Sequence, residues 1–251
     1  MNQIRSTILI FWAAGLLVVM GVLFLPTLLL PRAATLWAMR LYIRLLLLGL
    51  KWICGITVEF RGLHHLPEGP LLIAGKHQAT LDVFVPFLMF GDPMVVMKRE
   101  LLWYPFLGWY ALKSNMLPID RRGGASTVKK MLAVAKAAIS KGKGRQVLIY
   151  PEGTRRLPGA EPDYKPAGTR AFYKALDLPL VALATNSGLC WPAYGMTRRP
   201  GHVVYEILPP LPAGLPHKEM LSRLETELEA ASDRLLDEGL AVQGRTRSDL
   251  K

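Results

Sequence analysis

The sequence predicts an α/β fold: a mixed, largely parallel sheet flanked by helices, preceded by an N-terminal membrane-associated two-helix segment. Two observations carry this. From Ile56 onwards, short aliphatic or β-branched runs alternate with stretches of helical spacing, the pattern of an α/β domain. Before that point the chain is almost wholly apolar, and Ile8 to Pro31 holds no charged residue, a length able to span or enter a bilayer. The 251 residues accordingly divide into anchoring helices at 1–56 and an α/β domain at 57–251.

Taken in order, the first segment competes with a secretory signal peptide. It is longer than a signal core and lacks a small-residue cleavage site, which favours an anchor. Pro31 and Arg32 mark a break. The second segment, Leu36 to Ile56, carries Arg40, Arg44 and Lys51 at spacings of four and seven. At 100° per residue they fall within about 40° of one another, one basic stripe on an aliphatic helix. A helix lying at headgroup level needs that arrangement, although a core-packed helix with a solvated stripe fits it too.

Strand-like runs follow at 56–60, 71–75, 94–97, 147–150, 180–184 and 203–208, with helical stretches near 81–90, 126–141 and 168–177. In "STVKKMLAVAKAAISKG" Ser126 reads as an N-cap and Gly142 as a stop. A last helix at roughly 217–239 presents Leu221, Leu224, Leu228, Leu235 and Leu236, and the tail "AVQGRTRSDLK" is expected to fray.

Hydrophobic residues make up 51% of the chain and mean hydropathy is +0.24, more apolar than an ordinary soluble enzyme. The net charge is +12, of which +5 lies in residues 1–58, ahead of the first acidic residue, Glu59. Such an excess suits an anionic partner, and beside an apolar anchor it favours a lipid surface. No zinc-finger or RNP-type signature supports nucleic acid. Cys54 and Cys190, far apart in apolar surroundings, indicate neither a disulfide framework nor a metal site.

Four apolar runs end alike. "LLIAG" leads into Lys76 and His77, "MVVM" into Lys98, Arg99 and Glu100, "NMLPI" into Asp120, Arg121 and Arg122, and "VLIYP" into Glu152, Gly153, Thr154 and Arg155. In α/β sheets ligands bind beyond the carboxyl ends of strands, so these groups are expected to converge on an anionic substrate. His77 is suited to take a proton near neutral pH, and a carboxylate on its other ring nitrogen would orient it. Asp82, five residues on, can do this if His77 lies in the turn after the strand and Asp82 in the first turn beyond. The spacing alone equally fits a helix-capping aspartate and a core histidine. In "PEGTR", Gly153 permits a sharp turn, Thr154 offers a hydroxyl, Arg155 a fork for phosphate, and Glu152 can brace the loop or a cation. No Gly-x-Ser-x-Gly elbow is present, which argues against a thioesterase or lipase.

In combination these residues resemble the glycerolipid acyltransferases, specifically the bacterial 1-acyl-sn-glycerol-3-phosphate acyltransferases. The motifs occur in order: "KHQATLD" (76–82), "LPIDRR" (117–122), "PEGTR" (151–155) and "LPLVALATNSG" (178–188), with "KRELLWYPFLGW" (98–109) also similar. The resemblance covers about residues 57 to 210. It implies that His77 is the general base and Asp82 its orienting partner, in direct transfer from acyl-CoA or acyl-carrier protein to the sn-2 hydroxyl of lysophosphatidate. It implies that Arg121, Glu152, Gly153, Thr154 and Arg155 bind the acceptor phosphate, with Lys98 a further ligand, and that Pro179, within Leu178 to Val181, shapes the acyl-donor side. No metal or cofactor is implied beyond the acyl co-substrate. Where the family commonly has an aromatic residue in its second motif, this chain has Leu117 or Pro118. The resemblance also implies N-terminal helices seated in one leaflet of a bacterial inner membrane, with the α/β domain on the cytoplasmic side. Arg32, Arg40, Arg44 and Lys51 favour that side in a spanning arrangement as well. Another lyso-lipid acceptor, such as lyso-ornithine lipid or lysophosphatidylglycerol, or a non-enzymatic lipid-binding protein, remain the alternatives.

Overall fold

The computed structural model describes residues 1–120, 124–141 and 144–250. Two long helices open the chain, α1 (Asn2–Leu23) and α2 (Arg32–Gly49), the second extended by a π-helical turn, Leu50–Cys54. Gly55 then adopts a left-handed φ of +68°, ending the helix so that β1 (Ile56–Arg61) can begin at once. There follow β2 (Leu71–Gly75), a 3-10 turn at Thr80–Val83, α3 (Pro86–Met89), β3 (Pro93–Lys98), α4 (Leu107–Lys113), β4 (Leu117–Ile119) and α5 (Gly124–Lys141). The remainder is β5 (Gln146–Ile149), α6 (Pro166–Leu176), β6 (Leu180–Thr185), α7 (Ser187–Cys190), β7 (Gly201–Ile207) and α8 (His217–Val242).

The strands form one sheet in the order β1-β7-β6-β2-β5-β3-β4. Every neighbouring pair is parallel except β6 and β7, where Thr185 stands opposite Tyr205. This is the mixed, largely parallel sheet that the sequence predicts.

Side-chain alternation along β2 creates three layers. Leu71 and Ile73 face α2 through Leu36, Ile43 and Leu50, whereas Leu72 and Ala74 face α8 through Met220, Leu224 and Leu228. Burying each such Leu or Ile contributes about 1.5–3 kcal/mol, so the two faces of the sheet hold the strand ends in place. Beneath the opposite ends, Arg32 of α2 bonds Asp92, and the buried Arg145 reaches Asp92 at 3.2 Å and the Ser114 carbonyl at 3.0 Å.

The N-terminal helices share the core cluster of the sheet and are tied to it at both ends. Near its start α1 accepts a bond from Arg198 N to Ser6 Oγ at 2.7 Å. Near its end the Phe106 ring presses on Gly21, where any Cβ would collide with it, and the Tyr110 hydroxyl donates to the Gly21 carbonyl at 3.4 Å. The outer face of α1 remains apolar and exposed, from Ile4 and Phe11 to Val19 and Leu23.

Several local expectations are corrected. The basic stripe on α2 is divided: Arg44 and Lys51 differ from Arg40, which turns inward and caps the carbonyls of Phe87, Phe90 and Gly91 at the end of α3. The helix near 81–90 is two short turns, because Pro86 has no N–H to continue the ladder. Ser126 lies in the first turn of α5 rather than at its N-cap, and Gly142 lies outside the described residues. The tail is docked rather than frayed. Arg247 grips Asp237 at 2.7 and 2.9 Å, and Leu250 packs beside Leu236 and Leu240.

Candidate active site

Because β2, β5, β3 and β4 are parallel neighbours, their carboxyl ends share one edge of the sheet. β6, parallel to β2 on its other side, adds Asn186–Gly188 to the same edge.

His77 occupies the turn after β2, its side chain 16% exposed, and its Nδ1 lies 3.1 Å from Asp82 Oδ2. The same Oδ2 accepts from the backbone amides of Gln78 at 2.6 Å and Ala79 at 2.7 Å. The two readings of Asp82 left open by its spacing therefore coincide: the residue that caps the 3-10 turn also holds the imidazole. Its Oδ1 accepts from Ser187 Oγ at 2.6 Å and from the Tyr205 hydroxyl at 2.7 Å. Five donors on one buried carboxylate fix its orientation, and Nε2 is the ring nitrogen left to meet a substrate.

Tyr150 reinforces this arrangement. Its ring stacks on His77 at 4.3 Å and 26°, and its hydroxyl donates to the Asp82 carbonyl at 2.6 Å. Burial and the Asp82 charge push the phenols of Tyr150 and Tyr205 well above their usual range, so both remain protonated donors.

Beside the histidine a buried cation is clamped. Lys76 Nζ lies 2.8 Å from Glu152 and 2.6 and 2.7 Å from the two oxygens of Glu229 on α8, which also accepts from the Tyr164 hydroxyl at 2.8 Å. Burial raises the Glu152 carboxyl above its ordinary range against the opposing pull of Lys76. Glu152 also makes a long 3.5 Å contact with the His77 amide. Its side chain is thus turned inward as a brace, the alternative its residue type allowed, and away from the phosphate role that the resemblance implied.

The loop after β5 wraps the same turn. Gly153 takes a φ of +64°, and its amide donates to the Tyr150 carbonyl at 2.9 Å. Arg155 reaches Thr80 Oγ1 at 3.1 Å and lies 6.0 Å from the centre of the Tyr194 ring. Arg156 N donates to the His77 carbonyl at 2.8 Å.

The structure therefore gathers His77, Asp82, Glu152, Gly153, Thr154 and Arg155 around one turn. Lys98 ends β3 on the same edge, exposed and two strand spacings (about 10 Å) from β2. Arg121 lies outside the described residues. Pro179 is not brought to the crevice. It precedes β6, which runs parallel to β2, and its carbonyl accepts from Leu72 N at 2.9 Å at the opposite edge. The part of that motif that reaches the site is its far end, Ser187 and Gly188.

Sequence reasoning missed Ser187, Tyr205, Tyr164 and Glu229 as parts of the site, although "TNSG" closed a quoted motif. Nothing in the sequence marks Tyr205 or Glu229, which arrive from an antiparallel strand and the last helix. Among the described residues no cluster of His, Cys, Asp or Glu is arranged to hold a metal ion.

A family model described as Acyltransferase matches residues 57–185. A 1-acyl-sn-glycerol-3-phosphate acyltransferase of Pseudomonas aeruginosa is 33% identical over 193 residues, covering 77% of this chain and 74% of that protein. The Homo sapiens 1-acyl-sn-glycerol-3-phosphate acyltransferase alpha is 30% identical over 177 residues, 68% of this chain and 60% of its own length. The crystal structure of the 1-acyl-sn-glycerophosphate acyltransferase PlsC from Thermotoga maritima matches with a TM-score of 0.77 over 93% of this chain and 95% of that one. At 20% identity, that likeness speaks for the fold.

Proposed function

The chain belongs to the acyltransferase family, and from that premise we propose that it moves a fatty acyl group from an acyl thioester to the sn-2 hydroxyl of lysophosphatidate, giving phosphatidate. The observation that carries the mechanism is the His77–Asp82 pair, with Nδ1 engaged and Nε2 unengaged by the carboxylate. His77 Nε2 accepts the hydroxyl proton as the acceptor oxygen attacks the thioester carbon. The C–S bond then breaks, and the departing sulfur takes the proton back from the imidazolium. Asp82 stabilises that imidazolium across the 3.1 Å contact. Transfer is direct. Ser187, the serine bonded to the pair, is buried and commits its hydroxyl to Asp82 at 2.6 Å, so it is not placed as a nucleophile.

Arg155 and Thr154, with Lys98 from β3, are assigned to the acceptor phosphate, since the guanidinium stands beside the catalytic turn on Thr80. Glu152 serves that site indirectly, by holding Lys76 and the loop.

A lipid acceptor requires the crevice to work at a membrane surface. Both ends of α1 are tied to the same domain, which supports a helix lying in the interface rather than crossing it alone. Trp37, Trp103, Tyr104 and Trp109 are exposed as well, and such rings favour the headgroup level.

The test is an acceptor panel with purified wild type and His77→Ala. Lysophosphatidate should outperform lysophosphatidylglycerol and lyso-ornithine lipid, and His77→Ala should lose transfer while keeping its fold and vesicle binding. Near-wild-type turnover in that variant would refute the mechanism, and preference for another lyso-lipid would move the acceptor assignment.

A further inference from the structure

With Pro179 at the far edge, the place of the acyl donor is open, and a second crevice fills it. Two segments leave the catalytic turn side by side. Arg156 N is bonded to the His77 carbonyl at 2.8 Å, which anchors the strand of loop running to Pro158. Gly188 N donates to Gln78 Oε1 at 3.1 Å, next to Ser187 on Asp82. The packing there is tight: a Cβ on Gly188 would lie 2.8 Å from Pro158 and 3.0 Å from Gln78. Outward from this junction opens a cavity of about 320 Å³, lined among others by Leu157, Leu189, Tyr194, Met196 and Arg199. That volume falls in the range of about 300–1,000 Å³ typical of small-molecule sites.

Its chemistry is amphipathic and positive. Leu157, Tyr194 and Met196 present exposed apolar surface, and no carboxylate lines it among the described residues. Arg199 is exposed on the wall, and Arg155, outside the lining, stands 6.0 Å from the Tyr194 ring on the catalytic side. The position is equally specific. The cavity lies on the β6 side of His77, whereas Lys98 lies beyond β5 on the other side.

We propose that this cavity binds the phosphopantetheine arm of the acyl donor, the group that coenzyme A and acyl-carrier protein share. The thioester end sits at the inner end of the cavity, beside the closed Gln78–Gly188 junction and towards His77, the amide chain runs along Leu157, Tyr194 and Met196, and the phosphate meets Arg199. The donor thus approaches the imidazole from the β6 side and the acceptor from the side of Lys98, with Arg155, on the loop after β5, standing between them. This assignment rests on the acyl-transfer reading.

The test uses the full-length protein with Arg199→Ala, Arg199→Glu and Arg199→Lys. Binding of a non-transferable acyl-CoA thioether and an acyl-carrier-protein thioether is measured by calorimetry, alongside KM for donor and acceptor. Arg199→Glu should weaken thioether binding by about tenfold or more and Arg199→Ala by less, with Arg199→Lys close to wild type. Donor KM should follow while acceptor KM stays within about twofold. Weakening with both thioethers supports the shared arm phosphate, and weakening with one supports the cavity for that donor alone. Unchanged binding of both, or a rise confined to acceptor KM, overturns the assignment. A wild type that binds thioether here yet transfers to no lyso-lipid would refute the acyl-transfer reading and leave the binding site standing.

Discussion

Asp82→Asn changes one atom in the most heavily bonded side chain of the site. Its carbonyl must keep the Oδ2 position, because Gln78 N and Ala79 N donate there at 2.6 and 2.7 Å. The new NH2 then faces Ser187 and Tyr205, whose hydroxyls can rotate to accept. The fold should therefore survive with a loss of about 1–3 kcal/mol. What disappears is the charge opposite the imidazolium. With Nδ1 3.1 Å from Oδ2, the charge centres lie about 4–5 Å apart, and at an effective dielectric near 20 their attraction is about 3–4 kcal/mol. Transition-state stabilisation of that size corresponds to a fall in kcat of roughly 10²–10³. The assay is acyl transfer at saturating donor and acceptor, with Tm as the control for folding. A folded Asp82→Asn protein within about threefold of wild-type kcat would refute the orienting and charge-stabilising role.

Three further outcomes concern the Lys76 clamp, an ion pair on β1 and the exposed aromatic surface. Lys76→Met leaves Glu152 and Glu229 without their cation and should destabilise the protein by about 3–5 kcal/mol in thermal or urea unfolding; an unchanged midpoint would show that the clamp is not structural. The Arg61 side chain, and then the His202 ring, hold the Glu59 carboxyl down at about 2, below its ordinary 4.5. That contribution is present above pH 4.5 and lost as pH falls towards 2, so Arg61→Ala should flatten the decline of Tm across this window, and an identical slope would exclude the pair as its source. Trp103→Ala combined with Trp109→Ala should reduce sedimentation with anionic vesicles without altering Tm, and undiminished sedimentation would exclude these rings from the membrane-facing surface.

Much of the fold was legible because burial on both faces leaves a local mark. β2 and β6 are continuous aliphatic runs, as central strands buried on both faces require. The short elements were less legible. β4 is only three residues long, and α3 and α4 interrupt a stretch whose apolar residues also serve the N-terminal helices. The tail read as frayed because its anchors, Asp233 and Asp237, belong to a helix face that periodicity cannot orient towards it.

The sequence by itself determined an α/β domain behind two apolar helices, a base and its acid five residues apart, and a Gly153–Arg155 turn closing an apolar run. Those are short-range facts, set by periodicity and spacing. Tertiary structure decided which groups complete the site. Ser187 reaches Asp82 because β6 runs parallel to β2, and Tyr205 does so because β7 turns back against β6. Strand direction likewise sends Pro179 to the opposite edge, though it stands in the same motif as Ser187. The physical reason is that strand order and direction are settled by how whole faces of the sheet are buried, a long-range balance that no single stretch of sequence records.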